Sequence, residues 1–212
     1  MTDNVRDRYN EMAERYTEVN RGALDHDEFN RGWIARFVEI AALGAGPVAD
    51  LGCGPGFVTK YLTELGLDAR GYDLSSELIA TARSLFPEVA FHVGDFTELG
   101  LDDASFAGII SRYSLIHADP QSLAETFEEF ARLLEPGSPL LLSFFAASSA
   151  ERHGSPFDHK VVTAYELFPA TIAKALQQVG FDRIDIGTHG PPEGARPIDH
   201  ATILARRSPS GS

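Results

Sequence analysis

From residue 47 onward, short apolar runs alternate with segments whose apolar residues recur every three or four positions. The runs predict strands and the longer repeats predict helices, each ending at glycine or proline. Strands that alternate with helices are typical of an α/β, doubly wound, mostly parallel sheet. The last two predicted strands are joined by a short loop, 189–197, which favours an antiparallel C-terminal hairpin. The predicted strands are 48–51, 68–72, 89–93, 106–111, 139–145, 183–187 and 201–206.

The first part of the chain has a different pattern. Apolar residues at helical spacing predict one helix over 4–19 and a second over 29–43, and Gly44 to Pro47 end it. The segment 146–163 contains glycine, proline and histidine without a clear period, and we predict a long irregular loop there. We therefore expect three parts: an N-terminal helical cap over the active site (1–46), an α/β domain (47–207) and a disordered tail (208–212).

Charge and composition narrow the classes of partner. The net charge is −13 and the longest basic run is Arg206-Arg207, which argues against a nucleic-acid partner. No apolar run approaches the ~20 residues that cross a membrane, and the start lacks the layout of a signal peptide. The only cysteine, Cys53, excludes an intrachain disulfide and is best read as a small filler beside glycines. We expect a cytoplasmic protein without a membrane partner.

A glycine-rich turn follows the first predicted strand. Gly52, Gly54 and Gly56 alternate with other residues, and Asp50 precedes them by two positions. Glycines allow a sharp turn, and the free N–H groups of the next helix favour a negatively charged ligand. The dinucleotide pattern G-x-G-x-x-G would need glycine where Phe57 stands, which disfavours an NAD-dependent dehydrogenase. A turn without a ligand is the alternative interpretation.

Further acids stand at the ends of the next two predicted strands. Asp73 lies 21 residues after Gly52, about where an acid accepts ribose hydroxyls in nucleotide folds. Asp95 closes the third strand and could accept an adenine amino group, with Leu74 and Phe96 on the two sides of the ring. Because successive β-α-β units place strand ends side by side, we expect these residues to converge.

These motifs resemble those of the small, single-domain bacterial class I S-adenosylmethionine (SAM) methyltransferases. V-A-D-L-G-C-G-P-G is similar to their motif I, G-Y-D-L-S to the ribose segment and G-D-F to the adenine segment. The stretch 111–117 resembles the region that lines the methyl-transfer centre, and 9–16 resembles the lead helix that caps the cofactor. The resemblance implies a seven-stranded Rossmann-like fold, SAM as cofactor and S-adenosylhomocysteine (SAH) as product. The cofactor-binding residues would be Asp50, Gly52, Gly54, Gly56, Asp73, Leu74, Asp95, Phe96 and Arg112.

The family reaction is an in-line displacement that mainly needs orientation. A hydroxyl acceptor would also need a base, for which His117 is the best candidate, although it could instead pack or cap a helix. His159 is a weaker candidate, and the histidine spacings form no convincing metal set. Arg31 or Arg36 could bind the cofactor's methionine carboxylate. The substrate or lid candidates are Tyr9, Tyr16, Tyr113 and His153.

The sequence thus favours methyl transfer from SAM to a nucleophilic oxygen or nitrogen of a small molecule, by a monomer or homodimer. A SAM-binding regulatory or scaffolding protein without turnover is the alternative. The acceptor itself is not encoded in any motif, because fold does not fix function.

Overall fold

The fold is a seven-stranded sheet with helices on both faces. A computed structural model describes residues 2–25, 27–191 and 194–209. The sheet strands are β1 (Val48–Leu51), β2 (Ala69–Asp73), β3 (Ala90–Val93), β4 (Gly108–Arg112), β5 (Pro139–Phe145), β8 (Phe181–His189) and β9 (His200–Arg207). Their order in the sheet is β3-β2-β1-β4-β5-β9-β8, parallel through β5 and antiparallel for the last two strands. This confirms the predicted fold class, including the C-terminal hairpin.

Successive residues of the central strands face opposite layers of the core. Ile109 packs into a cluster with α6 and α7, whereas Ile110 packs into a cluster with α3 and α4. This alternation is the normal consequence of the strand pleat, and it explains why the central strands read as continuous apolar runs. The helices are α1 (Thr2–Glu11), α2 (Ala13–Asn20), α3 (Glu28–Ala41), α4 (Phe57–Glu64), α5 (Ser76–Leu85), α6 (Leu123–Leu133) and α7 (Pro169–Gln178).

The N-terminal segment corrects one prediction. Residues 4–19 were expected to form a single helix, but α1 and α2 are separated at Met12, which has φ −106° and ψ 7°. The break brings the rings of Tyr9 and Tyr16 into an edge-to-face contact with centroids 5.2 Å apart. Apolar spacing alone did not predict it, because the period continues across Met12.

The segment 146–163 corrects another. Instead of an irregular loop, it contains a short 3₁₀ helix (Ala150–Arg152) and the first strand of an antiparallel hairpin, β6 (Ser155–Asp158) with β7 (Thr163–Glu166). A bridge between Ala146 and Leu167 joins the hairpin to the end of β5. The strands were missed because Ser-Pro-Phe-Asp carries no apolar alternation.

The remaining differences are small. Strand β4 begins at Gly108, and β8 and β9 are longer than predicted. Of the predicted tail, residues 208 and 209 are in neither helix nor strand, and residues 210–212 lie outside the described residues. Part of the predicted loop 189–197 also lies outside them. Within the described ranges, no helix has the length and apolarity needed to cross a membrane, and no acid, histidine or cysteine cluster suits a metal ion.

Candidate functional site

A cleft lies at the carboxyl ends of the first parallel strands, beneath α1 and α2. It consists of two adjoining cavities of about 1010 and 1440 Å³, counting their open mouths. Clefts at this edge are where α/β sheets bind ligands, because the strand order reverses there. Both cavities are lined by Tyr16, Gly52, Gly54, Arg112 and Tyr113.

The glycine turn forms the floor of the cleft. Gly52 has φ +78°, and a Cβ there would lie 2.3 Å from Cβ of Ser114. Gly54 has φ +53° and lies beneath the Tyr16 ring, so bare backbone faces the cavity. Gly56 does not line either cavity: it precedes α4 at φ +83°, and a Cβ there would lie 2.5 Å from the ring of Phe91. Close packing against that ring gives Gly56 a structural explanation.

Asp73 fastens the turn to the end of β2. Its carboxylate accepts the backbone N–H of Gly54 at 2.8 Å and that of Ser75 at 2.9 Å, one on each oxygen. Burial raises the pKa of Asp73, while these two hydrogen bonds act in the opposite direction. Each oxygen keeps a second lone pair that can accept a ligand hydroxyl.

The predicted adenine residues lie along the first cavity. Oδ1 of Asp95 accepts the N–H and the hydroxyl of Thr97, at 2.9 and 2.6 Å. Phe96 and Leu74 line the same cavity, and the Phe96 ring packs edge-on against Phe130. A flat ring can therefore be enclosed between two apolar side chains with a carboxylate beside it.

Asp50 lies beneath the glycine turn. It is 2% exposed and accepts the Thr59 hydroxyl at 2.7 Å. Burial raises its pKa to about 6, opposed by the Thr59 hydrogen bond. A group whose folded pKa exceeds its unfolded pKa of 3.8 makes the protein less stable as the pH rises from about 4 to 6, since its charge must then be buried.

We therefore expect Asp50→Asn to change the pH dependence of stability. Relative to wild type, its free energy of unfolding should improve by about 2 kcal/mol between pH 4 and pH 7.5, at 1.4 kcal/mol per pKa unit. Urea unfolding at both pH values measures the difference. Asp68→Asn is the matched control because Asp68 is exposed. An equal pH dependence of the unfolding free energy in wild type and Asp50→Asn would contradict the raised pKa of Asp50.

Arg112 is the last residue of β4 and borders both cavities. Its Nε is buried and has no hydrogen-bond partner among the described residues. Of the two arginines suggested for a carboxylate, Arg31 lines the second cavity, whereas Arg36 is paired with Asp185 and stacked on Trp33. A buried guanidinium nitrogen without a partner is costly, so Arg112 is the better candidate for an anionic ligand group.

His117 contacts both the N-terminal helix and the β6–β7 hairpin. Its Nδ1 lies 2.9 Å from the carbonyl oxygen of Thr163, and its Nε2 lies 2.8 Å from the hydroxyl of Tyr9. A carbonyl oxygen can only accept, so Nδ1 carries the proton and Nε2 accepts from Tyr9. Burial lowers the pKa of His117, which keeps the ring neutral at pH 7. The result is a neutral imidazole in the lining of the first cavity, with its Nε2 lone pair accepting the Tyr9 hydroxyl.

The remaining substrate and base candidates are Tyr113, which borders the cleft, and His153 and His159, which do not. Tyr113 borders both cavities, and its hydroxyl lies 2.7 Å from Nδ1 of His200. His153 lines neither cavity, because its Nδ1 accepts the N–H of Phe168 at 3.0 Å in the hairpin region. His159 stacks edge-on against His117 with centroids 5.2 Å apart.

Sequence reasoning did not single out Asn10. Its Oδ1 accepts the Ser75 hydroxyl at 2.7 Å and the Glu77 N–H at 3.3 Å, which attaches α1 to the start of α5. Since Ser75 also donates its N–H to Asp73, α1 is linked through Ser75 to the carboxylate that holds the glycine turn. The only sequence feature that could have identified Asn10 is its position between Tyr9 and Tyr16 in the motif.

We expect Asn10→Ala to release SAH at least three times faster than wild type, because α1 loses its attachment to α5. Stopped-flow displacement of SAH measures the rate. Glu11→Ala serves as the control on the same helix, since its partner is the exposed Arg8. Equal release rates in wild type and Asn10→Ala would show that α1 does not retain the ligand.

Comparison with known proteins identifies the domain. Residues 48–137, from β1 to the turn before β5, match the family model described as a methyltransferase domain. Residues 48–137 therefore form a methyltransferase domain of the class I kind that uses SAM. This confirms the family, the enzyme class and the cofactor that the motifs implied.

Two curated relatives are similar over much of this methyltransferase. The demethylmenaquinone methyltransferase of Beutenbergia cavernae is 27% identical over 79% of the chain and 67% of the relative. The N-demethylindolmycin N-methyltransferase of Streptomyces griseus is 28% identical over 93% and 95% of the two chains. Among solved structures, magnesium protoporphyrin IX methyltransferase from Synechocystis PCC 6803 with bound SAM has a TM-score of 0.74 at 22% identity, covering 98% and 97% of the two chains. At that identity the structural likeness supports the fold alone.

Proposed function

We propose that this methyltransferase transfers the methyl group of SAM to a nucleophilic oxygen or nitrogen of a small molecule, with His117 as general base. The observation that carries the proposal is the neutral His117, which lines the cleft and accepts the Tyr9 hydroxyl at Nε2 while Thr163 fixes its tautomer. The two curated relatives are named for small acceptors, which supports a small molecule here.

The residues of the cleft fit the cofactor. Arg112 supplies an unpaired buried nitrogen for the methionine carboxylate, and Gly52 and Gly54 leave room for close approach to the backbone. Asp73 would accept the ribose hydroxyls and Asp95 the adenine amino group, as expected from their positions at strand ends. Leu74 and Phe96 would enclose the adenine ring.

The side chains of the protein then orient and deprotonate the acceptor. Bound SAM supplies a methyl group already activated on a sulfonium. Tyr9 and Tyr16 line the cleft, which supports our proposal that residues 1–46 act as a cap that excludes water. Nε2 of His117 takes the proton of a hydroxyl acceptor during attack. An amine acceptor that arrives neutral would not need this step.

The test has two stages. Calorimetry should give micromolar binding of SAM, and transfer from methyl-labelled SAM should then be measured across small alcohols, phenols, amines and thiols. Transfer to any oxygen or nitrogen acceptor supports the proposal. An absence of SAM binding would remove it, and binding without transfer to the whole panel would favour a scaffolding protein without turnover.

A further inference from the structure

His117, the proposed general base, already accepts a hydrogen bond from a phenol, the side chain of Tyr9. The Tyr9 hydroxyl donates to Nε2 of His117 at 2.8 Å, and the Tyr9 ring lies edge-on to that imidazole with centroids 5.6 Å apart. The Tyr16 ring also contacts the Tyr9 ring, edge-to-face with centroids 5.2 Å apart. The site therefore accommodates both the hydroxyl and the ring of one phenol, the Tyr9 side chain.

The tautomer of His117 limits what can replace Tyr9. Because Nδ1–H is committed to the carbonyl of Thr163, the buried Nε2 can only accept, and it needs a partner that donates an O–H or N–H. A tertiary amine or thioether cannot make that hydrogen bond. Either would leave Nε2 unpaired, at a cost that disfavours its binding.

The acidity of the hydrogen-bond donor narrows the class of methyl acceptor further. A neutral imidazole is a base of moderate strength, and burial lowers the pKa of His117 still more. A phenolic hydroxyl, with a pKa of about 10 as in tyrosine, can pass its proton to such a base far more easily than an aliphatic alcohol can. An amine reacts through its own lone pair and gains little from the base.

The neighbouring side chains are also suited to a flat ring. Tyr16 and Tyr113 line the first cavity together with His117. Aromatic side chains contact planar ligands through edge-to-face and offset arrangements that aliphatic ligands cannot reproduce.

We propose that the methyl acceptor is a phenol and that Tyr9 occupies its place on His117 in the free protein, an inference that rests on the proposed function. The phenolic oxygen forms its bond to the methyl carbon as the carbon–sulfur bond breaks, and that electron pair returns to sulfur. The phenol's proton passes to Nε2 of His117. Tyr9 makes way by a rotation of its side chain or of α1 about the break at Met12.

The experiment compares matched acceptors with the full-length protein. Transfer from labelled SAM is measured to 4-ethylphenol, 4-ethylaniline and 2-phenylethanol, which are similar in size, after SAM binding has been established by calorimetry. We expect the phenol to exceed the other two at least tenfold in kcat/KM. Transfer to the aniline or the aliphatic alcohol alone, or to none of the three, would overturn the phenol assignment. SAM binding with transfer to another oxygen or nitrogen acceptor would leave the proposed function standing.

Substitution of Tyr9 tests whether it is displaced. Tyr9→Phe keeps the ring but removes the hydroxyl that competes for Nε2, so KM for 4-ethylphenol should fall at least threefold. A tenfold loss of kcat/KM in this variant would mean that Tyr9 takes part in the reaction and is not a placeholder. Binding of 4-fluorophenol, followed by fluorine NMR with SAH present, provides a readout without turnover. Tyr9→Ala should bind it at least tenfold more tightly than it binds 4-fluoroanisole, which lacks the donor, and equal binding would overturn the proposal.

Discussion

Replacing Asp73 with alanine is expected to weaken the binding of SAH at least tenfold. The substitution removes the acceptor of the Gly54 and Ser75 N–H groups, so the glycine turn loses the side chain that holds it to β2. It also removes the carboxylate proposed to accept the ribose hydroxyls. A hydrogen bond to a charged group contributes about 1.5–3 kcal/mol, and tenfold in affinity corresponds to about 1.4 kcal/mol. Isothermal calorimetry with SAH at pH 7.5 measures the loss.

Asp68→Ala is the matched control for this prediction. Asp68 immediately precedes β2, at the end far from the cleft, and its exposed side chain pairs with Arg70 at 3.0 Å. We expect its affinity for SAH to equal that of wild type. Asp73→Asn should give an intermediate loss, because the amide keeps one acceptor oxygen. If Asp73→Ala changed the dissociation constant less than twofold, Asp73 would have no part in cofactor binding.

Replacing His117 with glutamine should lower kcat for a hydroxyl acceptor about 100-fold or more, the usual contribution of a general base. Glutamine can hydrogen-bond to Tyr9 but cannot take a proton. Since burial lowers the pKa of His117, the wild-type rate should be constant at neutral pH and fall on the acid side, below the ordinary histidine value of 6.5. The pH profile of the variant should lack this fall on the acid side. Replacing a histidine with a purely structural role would leave the fall in place.

The control is His153→Gln, since His153 lines neither cavity and accepts the Phe168 N–H. Its kcat should stay within threefold of wild type. Calorimetry should give the same SAH affinity for His117→Gln as for wild type, which separates a lost base from a disturbed fold. An unchanged pH profile in His117→Gln would refute the role of His117 as base.

Local sequence carried enough information to predict the sheet. The apolar runs that became β1 and β5 are buried on both faces, so neither can be placed at the surface without exposing apolar side chains. The glycines at 52 and 54 were recognisable because their positive φ angles disfavour most other residues. The hairpin β6–β7 was not predicted because Ser-Pro-Phe-Asp and Thr-Ala-Tyr-Glu show no clear alternation of apolar and polar residues.

The sequence by itself determined the fold class, the glycine turn and the acids at or near the ends of the first three strands, because these features depend on periodicity and on short crossovers. The tertiary structure alone decided what surrounds His117. Tyr9 lies 108 positions from it and Thr163 lies 46 positions away, yet both bond to the same imidazole. No spacing rule connects residues so far apart, since their meeting depends on how α1 and the hairpin pack against the sheet. For the same reason, only the tertiary structure shows that Nδ1 of His117 carries the proton, because that assignment depends on the carbonyl of Thr163.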